Sequence, residues 1–178
     1  PVLYKILPYD PVKDFVPITI IADSVGFIMV AYPGLPARTV REFVAIAKAQ
    51  PGKFTYGSTG IGNVTHFAAE IFNSKAGTQT TNIPYKGLAQ VLPDLFTGRI
   101  DTSFGSPPAF LPHIKAGKLT ALGITAPNRW SELPDVPTID EAGVKGVFFA
   151  PWYGLLFPAA TPDQYAASIR SEVARALK

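Results

Sequence analysis

The feature that most constrains the fold is a junction that occurs three times along the 178 residues. In each copy a stretch of helical character ends at a glycine, a basic residue follows, and a β-prone run comes next: AKAQPGKFTYGS, LFTGRIDTSFGS and IKAGKLTALGIT. The glycines are Gly52, Gly98 and Gly117. Glycine at this place suits the left-handed residue that closes a helix. Repeated passages from helix to strand are typical of an α/β protein, although their uneven spacing excludes a repeat protein.

Caps and apolar runs predict the elements between these junctions. Residues 39–42 (TVRE) and 138–141 (TIDE) are capping boxes, each of which is expected to open a helix. Strands are predicted near 18–22, 27–31, 54–57, 80–83, 100–104, 119–125 and 148–157. Helices are predicted over 39–50, 64–76, 87–97, 107–116 and 161–177, and positions 169, 173 and 177 are expected to form a buried stripe. The alternation predicts an open, mostly parallel sheet with helices on both faces.

Composition argues against several classes of function. Hydrophobic residues make up 47% of the chain, the net charge is only +3, and no run of Lys and Arg indicates a nucleic-acid binder. There is no cysteine, which excludes disulfides, thiolate metal sites and a Cys nucleophile. The two histidines, His66 and His113, are too few for a metal site of defined spacing. We therefore expect no metal, no cofactor and no nucleic-acid partner.

The most informative candidate for a site is the segment 54–70. A predicted strand enters a loop with several glycines and hydroxyls and then a helix, whose start offers unpaired N–H groups and a partial positive charge. The predicted ligand-binding residues here are Ser58, Thr59, Gly60, Gly62, Asn63, Thr65 and His66. Such a loop suits a carboxylate or a phosphate. The plainer interpretation is a tight turn with Thr65 or Asn63 as the helix N-cap.

One enzyme interpretation of the 57–66 segment is a dinucleotide site. Gly60-x-Gly62-x-x-Thr65 approximates the fingerprint, but the third glycine is missing and no acidic residue lies about 20 residues on to hold a ribose. A phosphate-binding P-loop needs lysine after its glycine, and here Asn63 follows Gly62.

A second enzyme interpretation is a Ser hydrolase. Ser58 and His66 could approach each other in space, yet residues 57–60 are not a G-x-S-x-G elbow and nothing identifies an acid partner. An α/β enzyme, dinucleotide-dependent or hydrolytic, remains the alternative to a binding protein.

Three further residues are candidates for ligand binding, and each also has a plain structural interpretation. Lys86 follows one predicted strand and would face an anion, or is an ordinary surface lysine. Ser106 follows another strand and would bind the ligand or cap the next helix. Tyr153 would stack on the ligand or fill the core.

Together these segments resemble the substrate-binding receptors of tripartite tricarboxylate transporters, the Bug family. The resemblance is carried by LYKILPYDPVKDF at residues 3–15, YGSTG at 56–60 with Thr65-His66, PYKG at 84–87, LPHIKAGK at 111–118 and LPDVPT at 133–138. It implies a periplasmic binding protein of type II, not an enzyme. Its two lobes close on a small carboxylate, and it delivers the ligand to membrane transporter subunits or, in some members, to a sensory partner.

The resemblance also implies a division of the chain. We expect residues 1–25 to be a crossover segment from the first lobe, 26–126 to be the second ligand-binding lobe, and 127–178 to be a return crossover with part of the first lobe. The family has further sequence before the LYKILP segment and after the end of this one, so a fragment is expected, from a protein that is monomeric when complete. Where the family commonly has Asp after the strand ending at Phe104, this chain has Gly105, which favours a ligand without an amine, such as a dicarboxylate or an aromatic acid.

Overall fold

The computed structural model describes residues 7–177, which divide between two compact units. In chain order the elements are β1 (Phe15–Asp23), β2 (Ile28–Ala31), α1 (Val40–Ala49), β3 (Thr55–Ser58), α2 (Val64–Ala76), β4 (Thr81–Pro84), α3 (Leu88–Phe96), β5 (Thr102–Gly105), α4 (Pro107–Lys115), β6 (Thr120–Ile124), β7 (Trp152–Pro158) and α5 (Asp163–Ala176). The larger unit is residues 25–150, and the smaller one is made of the segments up to Ser24 and from Pro151. The first six residues, which include part of the LYKILP segment, lie outside the described part.

The larger unit is built on a five-stranded sheet in the order β4-β3-β5-β2-β6. β3 is parallel to both β4 and β5, whereas β2 is antiparallel to β5 and β6. Four strands therefore run in one direction, and the predicted α/β class with a mostly parallel sheet is confirmed. The carboxyl ends of β3, β4 and β5 consequently meet at one edge of the sheet.

Helices cover both faces of this sheet, as the sequence predicts. On one face α1 and α2 bury Phe43 and Phe72 against Phe104 of β5. On the other face α3 and α4 bury Leu95 and Phe110 among aliphatic side chains of β2. Each of these fully buried side chains contributes roughly 1.5–3 kcal/mol to folding.

The junctions that define the sequence pattern take the expected backbone form. Gly52, Gly98 and Gly117 have φ values of +77°, +72° and +68°, in the left-handed region that closes a helix and turns the chain into the next strand. The 39–42 capping box also forms, with Glu42 N donating to Thr39 Oγ1 and the Glu42 carboxylate accepting from Thr39 N.

The predicted boundary after residue 126 is wrong, because residues 127–150 pack with the larger unit. Thr138 forms a parallel bridge with Ile124 at the end of β6, and Ile139 N donates to Ile124 O at 2.9 Å. Ile139, Val144 and Val147 are buried in the same core as α1 and α2. The assignment of the units to lobes of a complete receptor remains a prediction.

The 138–141 capping box forms without a helix, which corrects a second expectation. Thr138 N donates to Glu141 Oε2 at 2.8 Å and Glu141 N donates to Thr138 Oγ1 at 3.0 Å, but the chain continues in turns. Gly143 and Gly146 both have positive φ, so there is no room for a second helical turn.

The smaller unit pairs β1 with β7 in an antiparallel ribbon and packs α5 against it. Arg170 Nε donates to Ile18 O at 3.0 Å, and Ala166 is the buried residue of α5. The stripe expected to be buried is not, since Ile169 and Leu177 are exposed. The strand predicted at 148–157 begins only at Trp152. No helix within residues 7–177 is long and apolar enough to cross a bilayer.

Candidate functional site

Three loops leave the edge of the sheet where β3, β4 and β5 end. Residues 59–63 lead from β3 to α2, residues 85–87 lead from β4 to α3, and Ser106 lies between β5 and α4. The first two loops are joined, because Tyr85 N donates to Ser58 O at 2.9 Å. In open α/β sheets this edge is where ligands bind.

The 59–63 loop turns sharply and is braced by α2. Gly60 and Gly62 have φ values of +126° and +77°, which only glycine adopts without strain. Thr59 N donates to Thr65 Oγ1 at 2.8 Å, and the two threonine hydroxyls lie 2.9 Å apart. The Thr65 hydroxyl therefore folds the loop back onto the first turn of the helix.

A second brace comes from the imidazole of His66. Gly62 N donates to His66 Nδ1 at 3.1 Å, so this ring nitrogen acts as the acceptor and the ring N–H lies at Nε2. The ring stacks on Tyr56 with centroids 6.3 Å apart, and the Tyr56 hydroxyl donates to Glu70 Oε1 at 2.6 Å. Burial, with the bond to Glu70, raises the pKa of Tyr56 far above its ordinary value.

Four main-chain amides at this loop are left without an acceptor. His66 N and Phe67 N donate to Asn63 O. No residue within 7–177 accepts from the amides of Gly60, Ile61, Val64 and Thr65. The last two are the first residues of α2, where the positive end of the helix dipole lies. The loop can therefore receive an anion through main-chain donors.

Ser58 and Asn63 differ from what their residue types suggest. Ser58 is fully buried, and its Oγ has no hydrogen-bond partner among residues 7–177. Asn63 is the N-cap residue of α2, but its side chain makes no capping bond. The hydrolase interpretation lacks its geometry, since the Ser58 hydroxyl is inaccessible and Nδ1 of His66 is occupied by Gly62.

The 85–87 loop contributes an unpaired cation. The Lys86 side chain is exposed and forms no ion pair with any carboxylate in the described chain, while its amide donates to Gln90 Oε1 at 3.1 Å. The neighbouring Tyr85 hydroxyl donates to Asp94 Oδ2 at 2.8 Å, and burial together with this bond raises the pKa of Tyr85 to about 12. Lys86 is thus free to pair with an anion, whereas the Tyr85 phenol is already engaged.

The start of α4 offers fewer donors than the start of α2. Ser106 is the N-cap residue and makes no side-chain capping bond, but the helix opens with Pro107 and Pro108, which have no amide hydrogen. Tyr153 belongs to β7 of the smaller unit, where its side chain is exposed.

Sequence reasoning missed three exposed apolar side chains beside the free amides. Ile61, Val64 and Phe67 are 72%, 42% and 38% exposed. Their spacing of three residues was a visible signal, but the glycines and hydroxyls between them suggested only polar contacts. No group of three possible metal ligands occurs among residues 7–177.

Comparison with known proteins gives consistent matches. The model of the family described as "Tripartite tricarboxylate transporter family receptor" matches residues 1–178. An Agrobacterium vitis protein from the TAR-I ttuE-ttuC' intergenic region is 35% identical over 99% of this chain and 49% of its own length. The protein BugT of Bordetella pertussis is 30% identical over 97% of this chain and 52% of its own. The chain thus spans about half the length of these curated relatives.

Solved structures agree in fold. Rpa4515 of R. palustris, solved with adipate, is 34% identical with a TM-score of 0.87, over 96% of this chain and 56% of that one. MatC of Rhodopseudomonas palustris, solved with bound malate, is 28% identical with a TM-score of 0.89, over 98% and 59%.

Proposed function

Because the chain belongs to the tripartite tricarboxylate transporter receptor family, which consists of solute-binding receptors and not of enzymes, we propose that its 58–66 loop binds a carboxylate group of a small organic acid. The proposal rests above all on the free amides of Gly60, Ile61, Val64 and Thr65. A carboxylate accepts several N–H groups at once, and such charge-assisted bonds are stronger than neutral ones.

The surrounding side chains support an anionic guest that has no amine. Lys86 forms no ion pair with any residue between 7 and 177, and the first turn of α2 contains no acidic residue. At position 105, a Cβ would lie 2.7 Å from the Phe110 ring, so an acidic side chain that pairs with an ammonium does not fit there. Two relatives of known structure were solved with adipate and with malate, both of which are amine-free dicarboxylates.

In the complete protein we propose that this loop is one part of a ligand site in the periplasm. The further candidates for contact with the ligand, or with ordered water around it, are Thr59, Asn63, His66, Lys86 and Ser106. Delivery of the bound acid to membrane transporter subunits is part of the same proposal, by membership of the family.

The substitution Val64→Pro tests the proposal because it removes one amide hydrogen and little else. Val64 is the first residue of α2, where proline is favoured, and Asn63 before it is extended (φ −76°, ψ 161°), as a residue before proline must be. We expect V64P to weaken binding of acetate and succinate by roughly 10- to 100-fold at unchanged Tm, the loss of one charge-assisted hydrogen bond.

Val64→Ala is the matched control, since it shortens the same side chain and keeps the amide. Binding is followed by amide chemical shifts of Gly60, Ile61 and Thr65 during titration of the 178-residue chain. Equal acetate affinity in V64P and V64A, or no shift at these amides in the unsubstituted chain, would contradict the proposal.

A further inference from the structure

The exposed apolar side chains around the free amides carry information about the body of the ligand. We name the set of Ile61, Val64 and Phe67 the apolar collar. Its members are 72%, 42% and 38% exposed, and they flank the amides of Gly60 and Thr65 along the chain. A carboxylate on those amides would have its remaining atoms next to hydrocarbon side chains.

The collar is confined to the amide end of α2. The buried side of this helix is formed by other residues, among them Ala68, Ala69 and Phe72. Farther along, the exposed positions are polar: Glu70, Ser74 and Lys75. The outer surface of α2 is thus apolar only where its amides are free.

Helix geometry directs the collar over the loop. Side chains of an α-helix lean toward its N-terminus, so Val64 and Phe67 cover the turn before their own Cα atoms. That turn contains the free amides of Ile61 and Thr65. A guest held there is therefore covered by apolar surface on the side of the helix.

The ionisable groups of α2 next to the collar are partly engaged by the chain itself. His66 Nδ1 accepts from Gly62 N, and Glu70 accepts the hydroxyl of Tyr56. Lys86, on the neighbouring loop, forms no ion pair within residues 7–177. Hydroxyls on the part of the guest that lies against Ile61, Val64 and Phe67 would lose water against hydrocarbon side chains, which offer no hydrogen-bond partner.

We propose that the site selects carboxylates with an unsubstituted hydrocarbon body over hydroxylated acids, with the apolar collar contacting the carbon chain. This inference rests on the proposed function, because it assigns a ligand class to the same loop. A second carboxylate at the far end of the chain is compatible with it, since Lys86 is free.

The test is a chain-length series on the 178-residue protein, followed by the amide shifts of Gly60, Ile61 and Thr65. Acetate, butyrate and hexanoate are expected to bind with affinity rising roughly two- to fourfold for each added CH₂. Succinate is expected to bind at least threefold more tightly than malate.

Phe67→Ser separates the collar from the amides, because the Phe67 amide donates to Asn63 O and is not one of the free donors. The variant should bind acetate like the parent chain and lose most of the gain from acetate to hexanoate. Val12→Ser is the matched control, because Val12 is an exposed apolar residue of the smaller unit.

Each outcome distinguishes the two proposals. Binding of acetate without any gain along the series, or preference for malate over succinate, overturns the collar inference and leaves the proposed function standing. Equal weakening of acetate and hexanoate in F67S gives the collar a purely structural role and overturns the collar inference too. The absence of any shift with every acid overturns both.

Discussion

His66 supports the loop through one ring nitrogen, and this role depends on its separation of four residues from Gly62. An imidazole at the third position of α2 reaches back four residues to Gly62, where it accepts the amide hydrogen at 3.1 Å. Stacking on Tyr56 fixes the plane of the ring. The residue type predicted a polar role at this place, but not whether His66 would face a ligand or the chain itself, because the path of the loop decides that.

His66→Leu and His66→Asn test this bracing role as a pair. The Asn Oδ1 occupies nearly the position of Nδ1 and can accept from Gly62 N, whereas Leu keeps apolar volume and offers no acceptor. We expect amide hydrogen exchange at Gly62 to accelerate roughly fivefold or more in H66L, for a bond of about 1 kcal/mol, and to stay near the parent rate in H66N. Equal exchange in all three proteins would show that the 3.1 Å bond does not hold the loop.

The elements follow the sequence closely where local signals and packing agree. The five helices predicted with bounds are present within two residues, because left-handed glycines end three helix-to-strand passages and the 39–42 box begins α1. The 138–141 box fails as a helix signal because Gly143 and Gly146 leave too short a segment to nucleate one. A capping box therefore forms from four residues alone, whereas a helix after it also needs a segment long enough to form several turns.

The same local limit explains what was missed in the site. Glycines and hydroxyls marked the loop correctly, but the free donors include the amides of Ile61 and Val64, whose side chains gave no polar signal. Conversely, the Thr65 hydroxyl is engaged by Thr59 N, and Ser58 is buried. Which amides remain free depends on hydrogen bonds across four to six residues, and residue types alone do not give these.

The α1 cap predicts a pH dependence that Glu42→Gln should reduce. The amides of Arg38 and then of Thr39 donate to the carboxylate and hold the pKa of Glu42 below its ordinary 4.5. A lowered folded-state pKa means that the stabilisation is complete above pH 4.5 and is lost as the pH falls through the lowered value. Urea midpoints measured from pH 7 to pH 3 should therefore fall less steeply in E42Q.

Thr39→Ala serves as the comparison, because it removes the non-titrating half of the box. It should cost about 1 kcal/mol near pH 7. Most of the slope of the parent protein should remain, because the amides of residues 38 and 39 still donate to Glu42. Identical pH profiles for E42Q and the parent chain would refute the assignment.

At the scale of the whole chain, the larger unit is closed by bonds between its two ends. The family resemblance implied a boundary after residue 126, but residues 127–150 pack with the larger unit. In the structure they return along β6 and reach Thr125, beside Phe27 at the other end of the unit. Thr125 N donates to Phe27 O and Phe27 N donates to Thr125 Oγ1, both at 2.8 Å.

Phe149, near the C-terminal end of the larger unit, is hydrogen-bonded to Thr125 as well. Phe149 N donates to Thr125 O at 3.0 Å, and the Thr125 hydroxyl donates to Phe149 O at 2.6 Å.

Thr125 is fully buried, so Thr125→Val leaves the Phe27 amide and the Phe149 carbonyl without their side-chain partner. That loss should lower the free energy of unfolding by about 2–5 kcal/mol, measured by urea denaturation. Thr125→Ser keeps the hydroxyl and should cost no more than about 1.5 kcal/mol for the missing methyl. A Val variant as stable as the Ser variant would mean that the two ends are held by packing and not by this hydroxyl.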